Sequence, residues 1–140
     1  MTIPEVNMWA VVLATLSTMA VGSVWYTPRV FGNYWMAKAN VTRDDAVSRG
    51  VVPIVITVTV SFVTAWVLAG AVSIAHEFYR GTFLVDALVT AVVLWAGFTA
   101  ARIIPHDAFE GRPSGLSLVN VSHELVTVLV MGLVIGLMGV

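Results

Sequence analysis

The chain has 140 residues, 59% of them hydrophobic and 11% charged, whereas roughly a quarter of a soluble domain is charged. A mean hydropathy of +0.92 makes a bilayer the natural solvent. A net charge of −1 with no cysteine argues against nucleic acid as a partner and excludes disulfides, thiol catalysis and cysteine-ligated metal.

The first eight residues hold Glu5 and no Lys or Arg, unlike the basic start of a signal peptide. The next run, 6–27, is uncharged and reads as a retained first span. Its 22 residues reach ~33 Å at helical rise, enough for a hydrocarbon core of ~30 Å. Pro28 ends it, since proline lacks an N–H and restricts the residue before it. Trp25, Tyr26, Phe31, Tyr34 and Trp35 gather at that end as an aromatic belt.

Residues 28–50 form the longest polar connection, and its apolar first part is expected to lie on the membrane surface. Thr42 with Asp45 three residues on reads as the cap of a short helix toward Arg49. The second span is 51–75, with Pro53 in its first turn. Thr57, Ser61 and Thr64 share one face and read as a packing seam. A tight loop, HEFYRGT, is expected at 76–82. The third span is 83–104, capped by Thr82, with Asp86 in the first turn as an interfacial acid. Pro105 is expected to end this span.

After the polar connection 105–115 comes the fourth span, 116–139. It ends with Gly132 and Gly136, a GxxxG pair that serves either packing within the bundle or a homodimer. The fold class is therefore all-α: a single transmembrane four-helix bundle with short loops and an interfacial segment after the first helix. Four spans put both termini and the 76–82 loop on one side, with Arg80 alone among the basic residues. Arg29, Lys38, Arg43, Arg49, Arg102 and Arg112 gather on the other. The positive-inside rule makes that second side cytoplasmic and both termini external, in a plasma (inner) membrane.

GSVWYTPRVFGNYWM at 22–36, VLWAGF at 93–98, FEGRP at 109–113 and Asn120 followed by LV…LVMG to Gly132 together resemble the bacterial family catalogued as domain of unknown function 1761. The resemblance covers nearly the whole chain and implies a small four-span membrane protein with no assigned activity. The family pattern has Tyr-His where this chain has His123-Glu124.

Asn120, His123, Glu124 and Thr127 fall at i, i+3, i+4 and i+7 of the fourth helix, so they share a face. Ionisable groups there are default site candidates and must turn into the bundle or toward water. Arg102 is expected near the same level, paired with Glu124, Glu110 or Asp107. Glu110 and Arg112 in FEGRP are read as locking that turn onto the Trp25–Trp35 belt, with lipid phosphate as the alternative partner of Arg112. His76, His106 and His123 lie at three different places along the bundle, so a three-histidine zinc site is geometrically disfavoured, and no cofactor motif is present.

These features point to a non-enzymatic membrane protein binding a partner, lipid or small ligand. The polar vestibule for it has walls at the ends of spans one and three and the start of span four. The alternatives are a small oligomeric transporter or proton-coupled channel using His123 and Glu124, and a membrane-embedded enzyme.

Overall fold

The computed structural model describes residues 4–139. Seven helices run in chain order: α1 (Met8–Trp25), α2 (Gly32–Ala39), α3 (Arg43–Ser48), α4 (Val52–Tyr79), α5 (Phe83–Leu94), α6 (Ala101–Phe109) and α7 (Ser114–Met138), with a π-helical segment, Trp95–Ala100, joining α5 to α6. No strand occurs among the described residues. α5, the π segment and α6 make one rod, Phe83–Phe109, so four helices are long and apolar enough to cross a membrane. Large apolar side chains are exposed all along them, among them Trp9, Trp66, Phe78 and Phe98. A water-soluble monomer rarely shows apolar patches on that scale; hydrocarbon outside the bundle makes them neutral.

Local signals set most helix ends. Asn7 Oδ1 accepts from the N–H groups of Trp9 and Ala10 at 3.1 and 3.2 Å and opens α1. After α1 the chain doubles back. Phe31 N–H donates to Trp25 O and Gly32 N–H to Thr27 O. A Cβ on Gly32 would collide with the carbonyls of Tyr26 and Thr27, so only glycine fits this return. Thr42 caps α3 as its sequence signature predicts: its hydroxyl oxygen accepts from Asp45 N–H, and Asp45 accepts in turn from the Thr42 N–H at 2.9 Å. The Thr42 hydroxyl and then the Thr42 N–H hold the Asp45 carboxyl below the usual carboxylate range.

Two ends differ from the sequence reading. α4 does not stop at residue 75. It continues through His76 and Glu77 to Tyr79, and the expected loop shrinks to 80–82, closed by Arg80 in the left-handed region at φ 55°. The extra turn is held by His76, whose Nδ1 lies 2.7 Å from Asp86 Oδ2 at the start of α5. Asp86 stands in the first turn of α5 as its sequence position predicts, and this contact buries it, at 4% exposure. A Cβ on Gly81 would strike its carboxylate, so the loop glycine makes room for the acid.

The third span does not end at Pro105. The helix carries on to Phe109. Proline removes one N–H and crowds the preceding turn, a cost a helix bears near its end, where freed carbonyls find other partners.

The core lies toward the side of the termini. It is built from small residues facing one another: Ala10 and Ala14 of α1, Ala65 and Ala69 of α4, Ala87 and Ala91 of α5, closed by Val11, Val72, Met131 and Ile135. The closest pair is α5 with α7. A Cβ on Gly132 would come within 3.2 Å of Ala87 O, and one on Gly136 within 2.9 Å of Leu84 Cα. The GxxxG face is thus filled by α5 of the same chain.

α4 packs in a different way. From Val51 to Val60 every residue is exposed, and Ser61 is the first buried one. Its first half therefore stands away from the bundle on the side opposite the termini.

Gly136→Ala should lower stability by about 1–3 kcal/mol in mixed-micelle unfolding, through overpacking against Leu84. Gly70→Ala, where nothing lies within 4 Å of the new Cβ, should be neutral or gain up to about 1 kcal/mol of helix propensity.

Candidate functional site

The divergence of α4 opens a cleft of about 500 Å3 between α1, α4 and α7. α1 contributes Thr18, Met19, Gly22, Ser23 and Tyr26 to its lining. Across from it α4 contributes Ile56, Thr57, Val60, Ser61 and Thr64. The floor comes from α7, with His123, Glu124, Thr127, Val128 and Met131. The vestibule expected from the sequence has the third span as a wall; in the structure the second span takes that place. A separate pocket of about 360 Å3 does lie between the end of the third span and the start of the fourth, beside Ile104, Arg112 and Ser117, but neither His123 nor Glu124 lines it.

The α7 residues reach the cleft by helical periodicity alone, but aromatic rings from the α1–α2 return position them. His123 sits beside Trp25 and Tyr26, ring centroids 5.9 and 5.0 Å away. Trp25 packs at a tilt against Phe31, and Tyr26 meets Trp35 edge to face. Trp35 Nε1 donates to Asn120 Oδ1 at 3.0 Å, and Tyr34 rests on Gly115, where no Cβ would fit beneath its hydroxyl. The aromatic cluster read as an interfacial belt thus also clamps α2 against the first half of α7.

Asn120 is spent on that clamp and does not line the cleft. His123 and Glu124 do: the imidazole is largely buried, the carboxylate is 43% exposed, and Nδ1 lies 3.5 Å from Oε1.

Hydroxyl groups complete the polar lining. Thr18 donates to Thr15 O at 2.8 Å and lies 3.1 Å from Ser61 Oγ. Thr57 donates to Pro53 O and Thr64 to Val60 O. Of the three hydroxyl residues expected to form a seam, only Ser61 is buried between helices; Thr57 and Thr64 face the cleft. Two polar atoms in its wall, His123 Nε2 and Thr127 Oγ1, are buried with no partner among the described residues. Thr127 is itself only 7% exposed. Buried polar groups are nearly always paired, so each such exception calls for an explanation.

Arg102 does not join this constellation. It faces outward beside Ala101, His106 and Phe109, and no carboxylate lies within 4.0 Å of it among the described residues. The π segment explains this. A π turn adds a residue relative to an α turn and rotates the rest of the helix. It directs Trp95 Nε1 onto Val121 O at 3.0 Å and brings Asp107, not Arg102, against α7.

Asp107 is buried at 6% exposure and accepts from Ser117 Oγ at 2.6 Å. Arg112 Nε donates to Glu110 Oε2 at 2.6 Å and lies 3.7 Å from Asp107 Oδ1. The FEGRP turn is therefore locked onto itself and onto α6, not onto the Trp25–Trp35 belt. The Glu110 hydrogen bond, more than its charge or the more distant Asp107, holds the Arg112 guanidinium more firmly protonated.

Sequence reasoning missed Asp107–Ser117 and His76–Asp86. A signal for the second existed: a loop of a few residues necessarily sets the last turn of one span against the first turn of the next. Among the described residues no group of three or more His, Asp or Glu is placed to hold a metal ion.

Trp35→Phe should cost about 1 kcal/mol in mixed-micelle unfolding, because it leaves the Asn120 carbonyl unpaired. Combining it with Asn120→Leu should recover part of that loss, since removing both partners leaves nothing unsatisfied.

No curated protein and no solved structure matches the chain. One family does, described as "Protein of unknown function (DUF1761)", over residues 9–136. That stretch takes in the four long apolar helices, the α1–α2 aromatic return and the cleft, and the chain belongs to this family.

Proposed function

We propose that the chain is a non-enzymatic, multi-pass protein of the plasma membrane that binds a small amphipathic ligand in the cleft between α1, α4 and α7. The observation that carries this reading is the pair of buried, unpartnered polar atoms, His123 Nε2 and Thr127 Oγ1, in the wall of a pocket. Ligand pockets are typically ~300–1,000 Å3, mostly apolar, with a few convergent polar groups. This cleft has that size and that make-up. Its flank along the exposed half of α4 suits an occupant arriving from the lipid.

Binding is favoured over conduction by the layer beyond Thr127. Val11, Val72, Met131 and Ile135 are 0–1% exposed and form an apolar plug toward the termini. A proton or solute would need polar groups or water through that layer. The excess of Lys and Arg on the side of the α3 and FEGRP segments supports a cytoplasmic placement of the cleft mouth, with both termini outside.

Thr57→Trp tests the reading, because Thr57 is exposed and its indole would fill the cleft without entering the core. Mass spectrometry of extracts from purified protein should find an enriched amphiphile in the wild type. It should fall at least about fivefold in Thr57→Trp, corresponding to a loss of about 1 kcal/mol, and not in Val55→Trp, which lies outside the cleft lining. Identical profiles in the wild type and Thr57→Trp would contradict it.

A further inference from the structure

We propose that the cleft is selective for an amphiphile with a primary ammonium head group, and that Glu124 is its counter-ion. This rests on the reading of the cleft as a ligand site and names the chemistry of the molecule that enters it.

Two independent features point the same way. The first is charge. Glu124 is the one carboxylate in the lining, and no Lys or Arg lines the cleft with it. Three basic residues of the same end of the bundle are engaged or turned away: Arg112 is held by Glu110, Lys38 lies over the Tyr34 ring, and Arg102 faces outward. A phosphate or carboxylate head placed here would meet a like charge with nothing to offset it. A cation would give Glu124 a charged partner besides the His123 imidazole, in a setting where polar contacts are screened less than in water.

The second feature is the direction of the hydrogen bonds. Four hydroxyl hydrogens in the lining are already committed, while those of Tyr26 and Thr127 are not. Thr57 gives its proton to Pro53 O at 2.8 Å, Thr64 to Val60 O at 3.0 Å and Thr18 to Thr15 O at 2.8 Å. Ser23, on α1, gives its own to Met19 O. These groups still offer their oxygen lone pairs. Glu124 offers only acceptors. The placement of His123 Nδ1 toward Glu124 Oε1 favours the tautomer protonated on Nδ1, which leaves Nε2 as another acceptor. A pocket with one carboxylate and more free acceptors than donors suits a ligand rich in donors. A primary ammonium carries three N–H donors and a positive charge; an alcohol has one donor and no charge; a quaternary ammonium has the charge and no donor. Tyr26 adds an aromatic ring to the lining, which suits a cation as well. The walls beyond, Met19, Ile56, Val60, Val128 and Met131, suit an aliphatic chain.

The test uses the full chain in nanodiscs of zwitterionic lipid and four probes of one chain length: dodecylammonium, dodecyltrimethylammonium, dodecanol and dodecanoate. Binding is read from the tryptophan fluorescence of Trp25 and Trp35, which flank the site, with Thr57→Trp discs as the blank for partitioning into lipid. Dodecylammonium should bind at least about tenfold tighter than dodecanol and dodecanoate, and more tightly than the trimethyl probe. Glu124→Gln should remove most of the advantage over dodecanol. Thr57→Val, which deletes an acceptor oxygen and keeps Glu124, should weaken dodecylammonium more than the trimethyl probe.

Dodecanoate binding as tightly as dodecylammonium would overturn the inference and leave the ligand site standing. So would an ammonium preference unchanged in both Glu124→Gln and Thr57→Val. Failure of all four probes to saturate the wild type above the blank would remove the ligand site itself.

Discussion

A polar group inside a bilayer has to find its partner within the protein or in a water-filled space, because hydrocarbon offers none. The spans of this chain carry few such groups, and the placement of each shapes the helices around it. Asp86 is buried and answered by His76, which extends α4 by a turn and shortens the loop to 80–82. Asp107 is buried and answered by Ser117, which fixes how α6 meets the start of α7. Asn120 is answered by Trp35, which lays α2 across α7. Trp25 Nε1 and Thr90 Oγ1 are buried without a partner among the described residues, and so are two polar atoms in the group formed by His123, Glu124 and Thr127. These three sit on the same helix and open onto a cleft.

The bundle is tight on one flank and loose on the other, and small residues decide which. Gly132 and Gly136 let α7 approach α5 to near backbone contact. Alanines continue that close packing across α1 and the second half of α4. The first half of α4 has no such residues. It reads VPIVITVTV, β-branched and bulky, and its threonines satisfy themselves on their own helix. Nothing there holds it against α7, so the cleft opens where small residues run out. Function and packing are linked in this way: the same sequence change that ends close approach also exposes the polar face of α7.

Much of this is legible in the sequence because it is local. Four long apolar runs, the stop at Pro28 and the caps at Thr42 and Thr82 each depend on residues within a few positions of one another. The face carrying His123 and Glu124 comes from the helical period. The features that escape depend on contacts between segments. The pairing of His76 with Asp86 needs the two helices placed side by side before either residue shows a reason to be buried. Pro105 reads as a stop because proline usually is one, yet α6 passes through it, held by Asp107 and Ser117. An uninterrupted period places Arg102 near Glu124; the π segment at Trp95–Ala100 rotates the helix beyond it, so Arg102 turns outward and Asp107 inward. The cleft itself arises from where α4 leaves the bundle, which no residue pattern within α4 states by itself.

The central claim is that α4 leaves the bundle in its first half and exposes a polar cleft lined by Thr57. The chain has no cysteine, so single cysteines can be placed without background. In nanodiscs, a membrane-impermeant maleimide should label Thr57→Cys, on the cleft side of α4, several times faster than Ile54→Cys, which is exposed but outside the cleft lining. Equal protection of the two positions would mean that the first half of α4 meets lipid or protein on every face, and that the cleft does not exist in the membrane.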